Sequence, residues 1–470
     1  MEVDTPEQRP QDTPAAQTPP AQPESQPAHA GGNPSATLAG AAIVEEELDT
    51  YLNPVSRETD GVILHDNDIC YTVTPVVSAG HPCSVYCVAA TRNMRWVYTG
   101  GDDGFIRKFD FVPSMNGDYP LPLNQRHGLA DSIIRGGLLI SAWENEETLP
   151  RPNAADSAPT ENRISPVYSI DVHSEGAWVV TGCESGAINM WTGRHDEGTC
   201  FHTLQHHKNS VSVLKITPDE TGLFSGSWDK SVLRWDLNVG RVVREFSGAS
   251  SQITSISLRP TPNTGTGLPS RSTESILMCT SFDGCIGIFD ERVPGRPQIR
   301  KILPQGSPPW ALSACWSNDG KRIYCGRRNG TVDEYDFAEG KILRTLRLPR
   351  DSGAVSQVNI MPNDRHLLCA SYDNIRLWDL QASESKPTAA DSSVPSTPNA
   401  ANPVTQSNRR LDIGDSACPF TIVPGHHGGV LSSLYIDASR KYLISASGAR
   451  GWDGVSTNMC LFYDVKPQRQ

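Results

Sequence analysis

Seven times along this chain of 470 residues, three apolar residues recur at the first, fourth and sixth positions of a short run. They are Val85/Val88/Ala90, Val167/Ile170/Val172, Val211/Leu214/Ile216, Ile253/Ile256/Leu258, Ala311/Ala314/Trp316, Val355/Val358/Ile360 and Leu431/Leu434/Ile436. A flat strand would show the same face at every second residue, so this spacing reads as an inner strand with a twist. Each run leads to a second apolar run, a polar turn and a third strand. That third strand closes on an aromatic position followed by Asp or Thr: Phe109-Asp110, Trp191-Thr192, Trp235-Asp236, Phe289-Asp290, Tyr335-Asp336, Trp378-Asp379 and Tyr463-Asp464. The distance from first apolar residue to final Asp or Thr is 25 in four units and 24 in the sixth. The fourth and seventh are longer because they carry "TPNTGTGLPSRS" and "GARGWDGVSTN". Seven copies at near-constant spacing define a repeat architecture, in which neighbouring units cover one another's faces.

Composition agrees with many short strands and turns. Hydrophobic residues make up 37%, with 39 Gly and 36 Pro. Residues 1–61 read as a disordered acidic, Pro-rich tail, with the repeats occupying 62–466. Insertions are expected near 112–135, 146–164, 261–273, 381–415 and 447–458. The first 65 residues hold eleven acidic side chains against two Arg, so most of the net charge of −12 belongs to the tail. No concentrated basic footprint appears, so sequence-specific nucleic-acid binding is not expected. No apolar run reaches the roughly 18 residues of a membrane span, and no basic, then apolar, leader opens the chain. The twelve cysteines contain no CxxC pair, which leaves zinc unsupported and suits a reducing compartment.

The repeat resembles the WD40 family, which implies an all-β, seven-bladed β-propeller with long loop insertions on its rim and faces. Polar turns fall at Asp103-Gly104, Asp229-Lys230, Asp283-Gly284, Asn329-Gly330 and Asp373-Asn374. The resemblance implies a buried chain of hydrogen bonds joining a turn Asp, a His before the inner strand, a Ser or Thr and the Trp. The third unit fits it best, with Asp229, His207, Ser225 or Ser227, and Trp235. The other units match less well, so packing is expected to hold most blades. His206-His207 and His426-His427 sit where the family has Gly-His, which gives them a structural role and not a metal-binding one.

After Tyr463-Asp464 only six residues remain, so the seventh unit is short of an outer strand. The strand-like segment around Tyr71–Val77 is expected to supply it and cover the open edge. The insert of the fourth unit and the stretches after Asp110 and Asp379 should leave one face of the disc. That of the seventh should leave the other.

No GxxxxGK[ST], HExxH or nucleophile elbow is present, so no enzyme, cofactor, metal or small-molecule substrate is expected. "GGDDGFIRKFDF", "NQRHGLADSIIRGGLLISAWENEE" and "SGARGWDG" resemble the WD40 suppressor-of-Ty subunits of the SAGA transcriptional coactivator complex. That resemblance implies a nuclear, non-catalytic interaction subunit that helps SAGA engage the TATA-binding protein. Arg126, Trp143, Arg450 and Trp452 are the expected anchors, since Trp and Arg are common at interfaces. Glu45, Glu46, Glu47 and Asp49 would complement a basic partner. Arg327-Arg328 read as a solvent-exposed pair in a turn. A competing reading comes from "IFDER", Ile288–Arg292, which is similar to the WDxR motif of substrate receptors of cullin-type ubiquitin ligases.

Overall fold

The structure, a computed structural model, describes residues 69–117, 119–121, 133–149, 161–246, 248–260, 276–293, 298–303, 309–372, 374–382, 418–426, 428–449 and 454–469. The expected tail, 1–61, lies outside them. Seven sheets of four or five strands follow one another as the blades of a propeller. Blade 3 shows the pattern: Val211–Ile216 innermost, then Gly222–Ser227, Val232–Asp236 and, outermost, Arg241–Phe246.

The spacing of the inner strands has a local cause. Pairing with the second strand slips one residue after the first apolar position in five blades, at Val85/Cys87, Val211/Val213, Ile253/Ser255, Ala311/Ser313 and Leu431/Ser433. A bulge inserts one unpaired residue, so the next apolar side chain on the same face comes one position later. The leading residue of each run is fully buried, from Val85 to Leu431. A second slip precedes the terminal aromatic in blades 1 to 5, at Phe109, Trp191, Trp235, Phe289 and Tyr335.

The apolar cores lie between blades. One cluster joins Tyr98 and Ile106 of blade 1 to Val167, Ile170 and Trp191 of blade 2. Another joins Ile188 and Met190 of blade 2 to Val211, Leu214 and Trp235 of blade 3. The series continues around the ring to the seam, where Ile444 and Phe462 of blade 7 meet Val85, Val88 and Phe109 of blade 1. Each large apolar side chain buried there stabilises by about 1.5–3 kcal/mol, and none is fully covered until the neighbouring blade is in place.

Ring closure uses the early chain. Ile69–Gly80 pairs antiparallel with Met459–Arg469, from Ile69↔Arg469 to Gly80↔Met459, and completes blade 7. Pro75, which has no N–H to donate, sits at the one irregularity in this ladder. Val77 and Ala79 of the added strand are buried in the seam cluster.

Two inserts are more ordered than their sequence suggests. The stretch expected as an insertion at 112–135 begins as helix α1, Phe111–Asn116. Phe111 is buried with its ring centroid 4.9 Å from that of Tyr442 and 5.4 Å from that of Phe462. Its far end, Arg135–Gly136, adds a fifth strand parallel to Val77–Ser78. Blade 1 therefore reaches back over the seam. The insertion at 146–164 forms a hairpin, Glu146–Leu149 with Glu161–Ile164. Because strands alternate in direction, the inserts leaving Asp110, Leu258 and Asp379 depart from one face. The tight turns, and the insert leaving Ser447, lie on the other.

Candidate interaction site

In blade 3 the third strand is tied to the loop before the inner strand by one polar chain. Trp235 Nε1 donates to Ser225 Oγ at 2.7 Å, Ser225 Oγ lies 2.7 Å from His207 Nε2, and His207 Nδ1 lies 3.0 Å from Asp229 Oδ2. With Nδ1–H directed at the carboxylate, Nε2 accepts the Ser225 hydroxyl and every member is satisfied. Burial raises the Asp229 pKa. Hydrogen bonds from His207, Ser231 and the backbone N–H of Lys208 outweigh it and hold the carboxyl well below the usual range. Ser227 is outside this chain: its hydroxyl donates to Asn209 O at 2.8 Å.

The expectation that most other blades hold by packing alone needs correction, because the device persists with altered residues. In blade 1, His81 Nδ1–H donates to Ala79 O at 3.0 Å and Nε2 meets Thr99 Oγ1 at 2.8 Å. Burial, with the Arg107 charge nearby, pushes the His81 pKa down to about 4. In blade 2, Asn145 takes the place of the His. Thr181 Oγ1 donates to Asn145 Oδ1 at 2.8 Å and accepts Trp191 Nε1–H at 2.8 Å. In blade 7, His426 Nε2 and the Tyr463 hydroxyl lie 2.6 and 3.2 Å from Ser445 Oγ.

Blade 5 departs furthest. Arg327, read from sequence as exposed in a turn, ends the strand Arg322–Arg327 and is 1% exposed. Its Nε donates to Asp333 Oδ2 at 2.5 Å, and one terminal nitrogen donates to the Tyr335 hydroxyl at 2.5 Å. The other terminal nitrogen reaches Gly284 O of blade 4 at 3.1 Å and Pro309 O at 3.2 Å. A fully buried Arg persists only with such partners. Arg328 is exposed, its guanidinium 4.1 Å from the Trp310 ring centroid.

Around the turn face runs a collar of aromatic side chains. Tyr86 stacks on Tyr168 at 5.8 Å and Tyr168 meets Trp228 edge-on at 5.3 Å. Phe282 meets Trp310 at 4.8 Å beneath Arg328. Tyr372 lies against Gly454, where φ is +111° and an added Cβ would stand 2.7 Å from the Tyr372 ring. In the sequence Trp228, Phe282 and Tyr372 each directly precede an Asp between a second and a third strand, and the pair Trp452-Asp453 repeats the pattern outside the described residues. That alignment is the signal for the collar in the sequence. Tyr86 is buried, Tyr168, Trp228, Phe282 and Tyr372 are half-buried, and Trp310 is exposed beneath Arg328, which leaves part of each flat apolar ring within reach of a protein partner.

Of the expected anchors, Trp143 alone falls among the described residues. Arg126, Arg450, Trp452, Glu45, Glu46, Glu47 and Asp49 lie outside them, as does His427. Trp143 is half-buried on the outer strand Leu138–Glu144, edge-on to Tyr98 with centroids 6.4 Å apart. Its Nε1 is buried without a hydrogen-bond partner among the described residues. It forms one wall of a cleft between blades 1 and 2. In "IFDER", the Arg292 side chain folds back on Asp290, with Nε and one terminal nitrogen at 2.9 and 2.7 Å from its carboxylate. Among the described residues no cluster of His, Cys, Asp and Glu could hold a metal ion, and no helix is long and apolar enough to cross a membrane.

Seven blades whose cores lie between them, five of them carrying an Asp or Asn corner in sequence and each with an aromatic residue near the end of its third strand, define a WD-repeat β-propeller. Within that class the chain belongs to the SPT8 β-propeller family, whose model matches residues 71–272, 263–390 and 388–466. It is 35% identical over 462 residues to the SAGA complex subunit Spt8 of Schizosaccharomyces pombe, covering 84% of this chain and 79% of that protein. It is 33% identical over 460 residues to the SAGA complex subunit SPT8 of Saccharomyces cerevisiae, covering 84% and 72%. A weaker similarity, 26% over 289 residues, links it to the protein tipD of Dictyostelium discoideum, covering 58% of this chain and 43% of that protein.

Proposed function

We propose that this chain is a nuclear, non-catalytic subunit of the SAGA coactivator complex that engages the TATA-binding protein to regulate transcription by RNA polymerase II. The observation that carries the reading is similarity along 84% of the chain to two SAGA subunits, with most of their own length also covered. An interaction role suits the geometry. Several polar groups of the blades are consumed in holding strands together, and half-buried aromatic side chains lie along the turn face. Trp143, Arg126, Arg450 and Trp452 are the proposed anchors. Glu45, Glu46, Glu47 and Asp49 supply negative charge that would speed encounter with a basic partner.

Purification of the tagged full-length chain from nuclear extract, followed by mass spectrometry, tests this. Acetyltransferase-complex subunits and the TATA-binding protein are the expected companions. Recovery of a cullin adaptor in their place would overturn the reading and favour the ubiquitin-ligase alternative. Replacing Glu45, Glu46, Glu47 and Asp49 together by Gln should slow association with the TATA-binding protein and flatten its salt dependence, while leaving SAGA assembly intact.

A further inference from the structure

The sequence "WENEE", Trp143–Glu147, closes blade 1 and opens the hairpin that leads to blade 2. Asn145 is turned inward to complete the polar chain of blade 2. Its neighbours line a cleft of about 630 Å³ between the outer strands of the two blades. Phe105, Trp143 and Trp191 give this cleft aromatic walls, and Glu144, Glu146 and Glu147 give it three carboxylates.

Among the described residues the charges in this region do not balance. Three cations near the cleft already have carboxylates of their own. Arg107 pairs with Asp103, Lys108 with Glu197 at 2.5 Å, and Arg163 with Glu184 at 2.5 Å. Glu147 is 3% exposed, yet among the described residues its carboxylate accepts only the backbone N–H of Ser185, at 3.2 Å. Glu146 accepts a neutral amide N–H from Asn162 at 3.3 Å. Glu144, half-buried, has no side-chain partner among the described residues. A buried carboxylate without a cation is costly to keep. Here it borders an open cleft of ligand size, beside aromatic faces that attract cations.

We infer that this cleft binds the arginine or lysine side chain of a basic segment on a partner protein. Glu147 and Glu144 take the charge, and Trp143 with Phe105 covers the aliphatic stem. The inference does not rest on SAGA membership. It assigns to Trp143 a ligand, a cationic side chain, where the family resemblance implies only an interface residue.

The test uses the full chain and three fluorescein-labelled decapeptides, identical except for a central pair of Arg, Lys or citrulline residues. Citrulline keeps the shape of Arg without its charge. By fluorescence anisotropy the Arg and Lys peptides should bind saturably. The citrulline peptide should bind about tenfold more weakly or worse. Glu144→Gln and Glu147→Gln should each weaken the Arg peptide about tenfold, whereas Glu339→Gln, on the rim of blade 5, should leave it unchanged. Glu144 is half-buried at the cleft mouth, so its variant reads the site even if Glu147→Gln fails to fold. Absence of saturable binding up to about 1 mM peptide would overturn the inference. So would equal binding of the citrulline peptide, or affinity unchanged in Glu144→Gln with an unaltered circular dichroism spectrum.

Discussion

Blades 3 and 5 solve one problem with opposite chemistry. Each must anchor its third strand to the loop before its inner strand. Blade 3 uses a relay, Trp235–Ser225–His207–Asp229, in which the charged member stays at the turn. Blade 5 buries a full ion pair, Arg327 with Asp333, braces it with Tyr335, and extends it to backbone carbonyls of blade 4 and of its own entry loop. Arg327 occupies the register position of Ser227, facing Ala311 as Ser227 faces Val211. The fold requires that the buried polar groups there be satisfied, and it accepts more than one set of residues that do so.

The largest effect should come from breaking the ion pair on one side. Asp333→Ala leaves Arg327 charged and buried, and should destabilise by about 3–5 kcal/mol in chemical denaturation. A pH titration of stability comes next and concerns the blade 1 form of the relay. His81 has a folded-state pKa of about 4, below the value of 6.5 of a free His. Its contribution is therefore complete above pH 6.5 and is lost as pH falls from 6.5 toward 4. That contribution is on the order of 3 kcal/mol, and His81→Gln should flatten the profile over that window. Ser225→Ala in blade 3 deprives both Trp235 and His207 of their hydroxyl partner and should cost about 1–3 kcal/mol. Smallest of all should be the joint change Arg327→Met, Asp333→Leu and Tyr335→Phe, which removes both charges together with the buried hydroxyl that they bond and should cost about 1 kcal/mol. If the triple variant is as unstable as Asp333→Ala, the ion pair and its brace are not the unit described here.

These differences also explain what could be read from the sequence. The number of blades and their order follow from apolar spacing, which survives wherever packing demands it, and the donation of an early strand around Tyr71–Val77 to blade 7 follows from the outer strand that the seventh unit lacks. Arg327 was misread because an Arg pair before Asn-Gly looks like a solvated turn. Its burial depends on Asp333 and on a carbonyl of the preceding blade, contacts that no local pattern encodes. Helix α1 escaped notice because six residues are too few to show a helical period. The function of its apolar residues, covering the seam against Tyr442 and Phe462, is set by chain 330 residues or more away. The stretch that carries the family resemblance contains Asn145, yet nothing in it marks Asn145 as the residue that blade 2 uses in place of a His. The cleft beside it depends on a charge imbalance among residues from two blades. The motif marked the spot without revealing the chemistry.

Every core in this molecule lies between neighbours, so the ring stands or falls at its seam. Amide hydrogen exchange of the full-length chain, read peptide by peptide, tests that point directly. Amides of Ile69–Gly80 should exchange as slowly as those of Met459–Arg469 and of the inner strand of blade 3. Rapid exchange across 70–79 alongside slow exchange in blade 3 would mean that this segment does not close the ring.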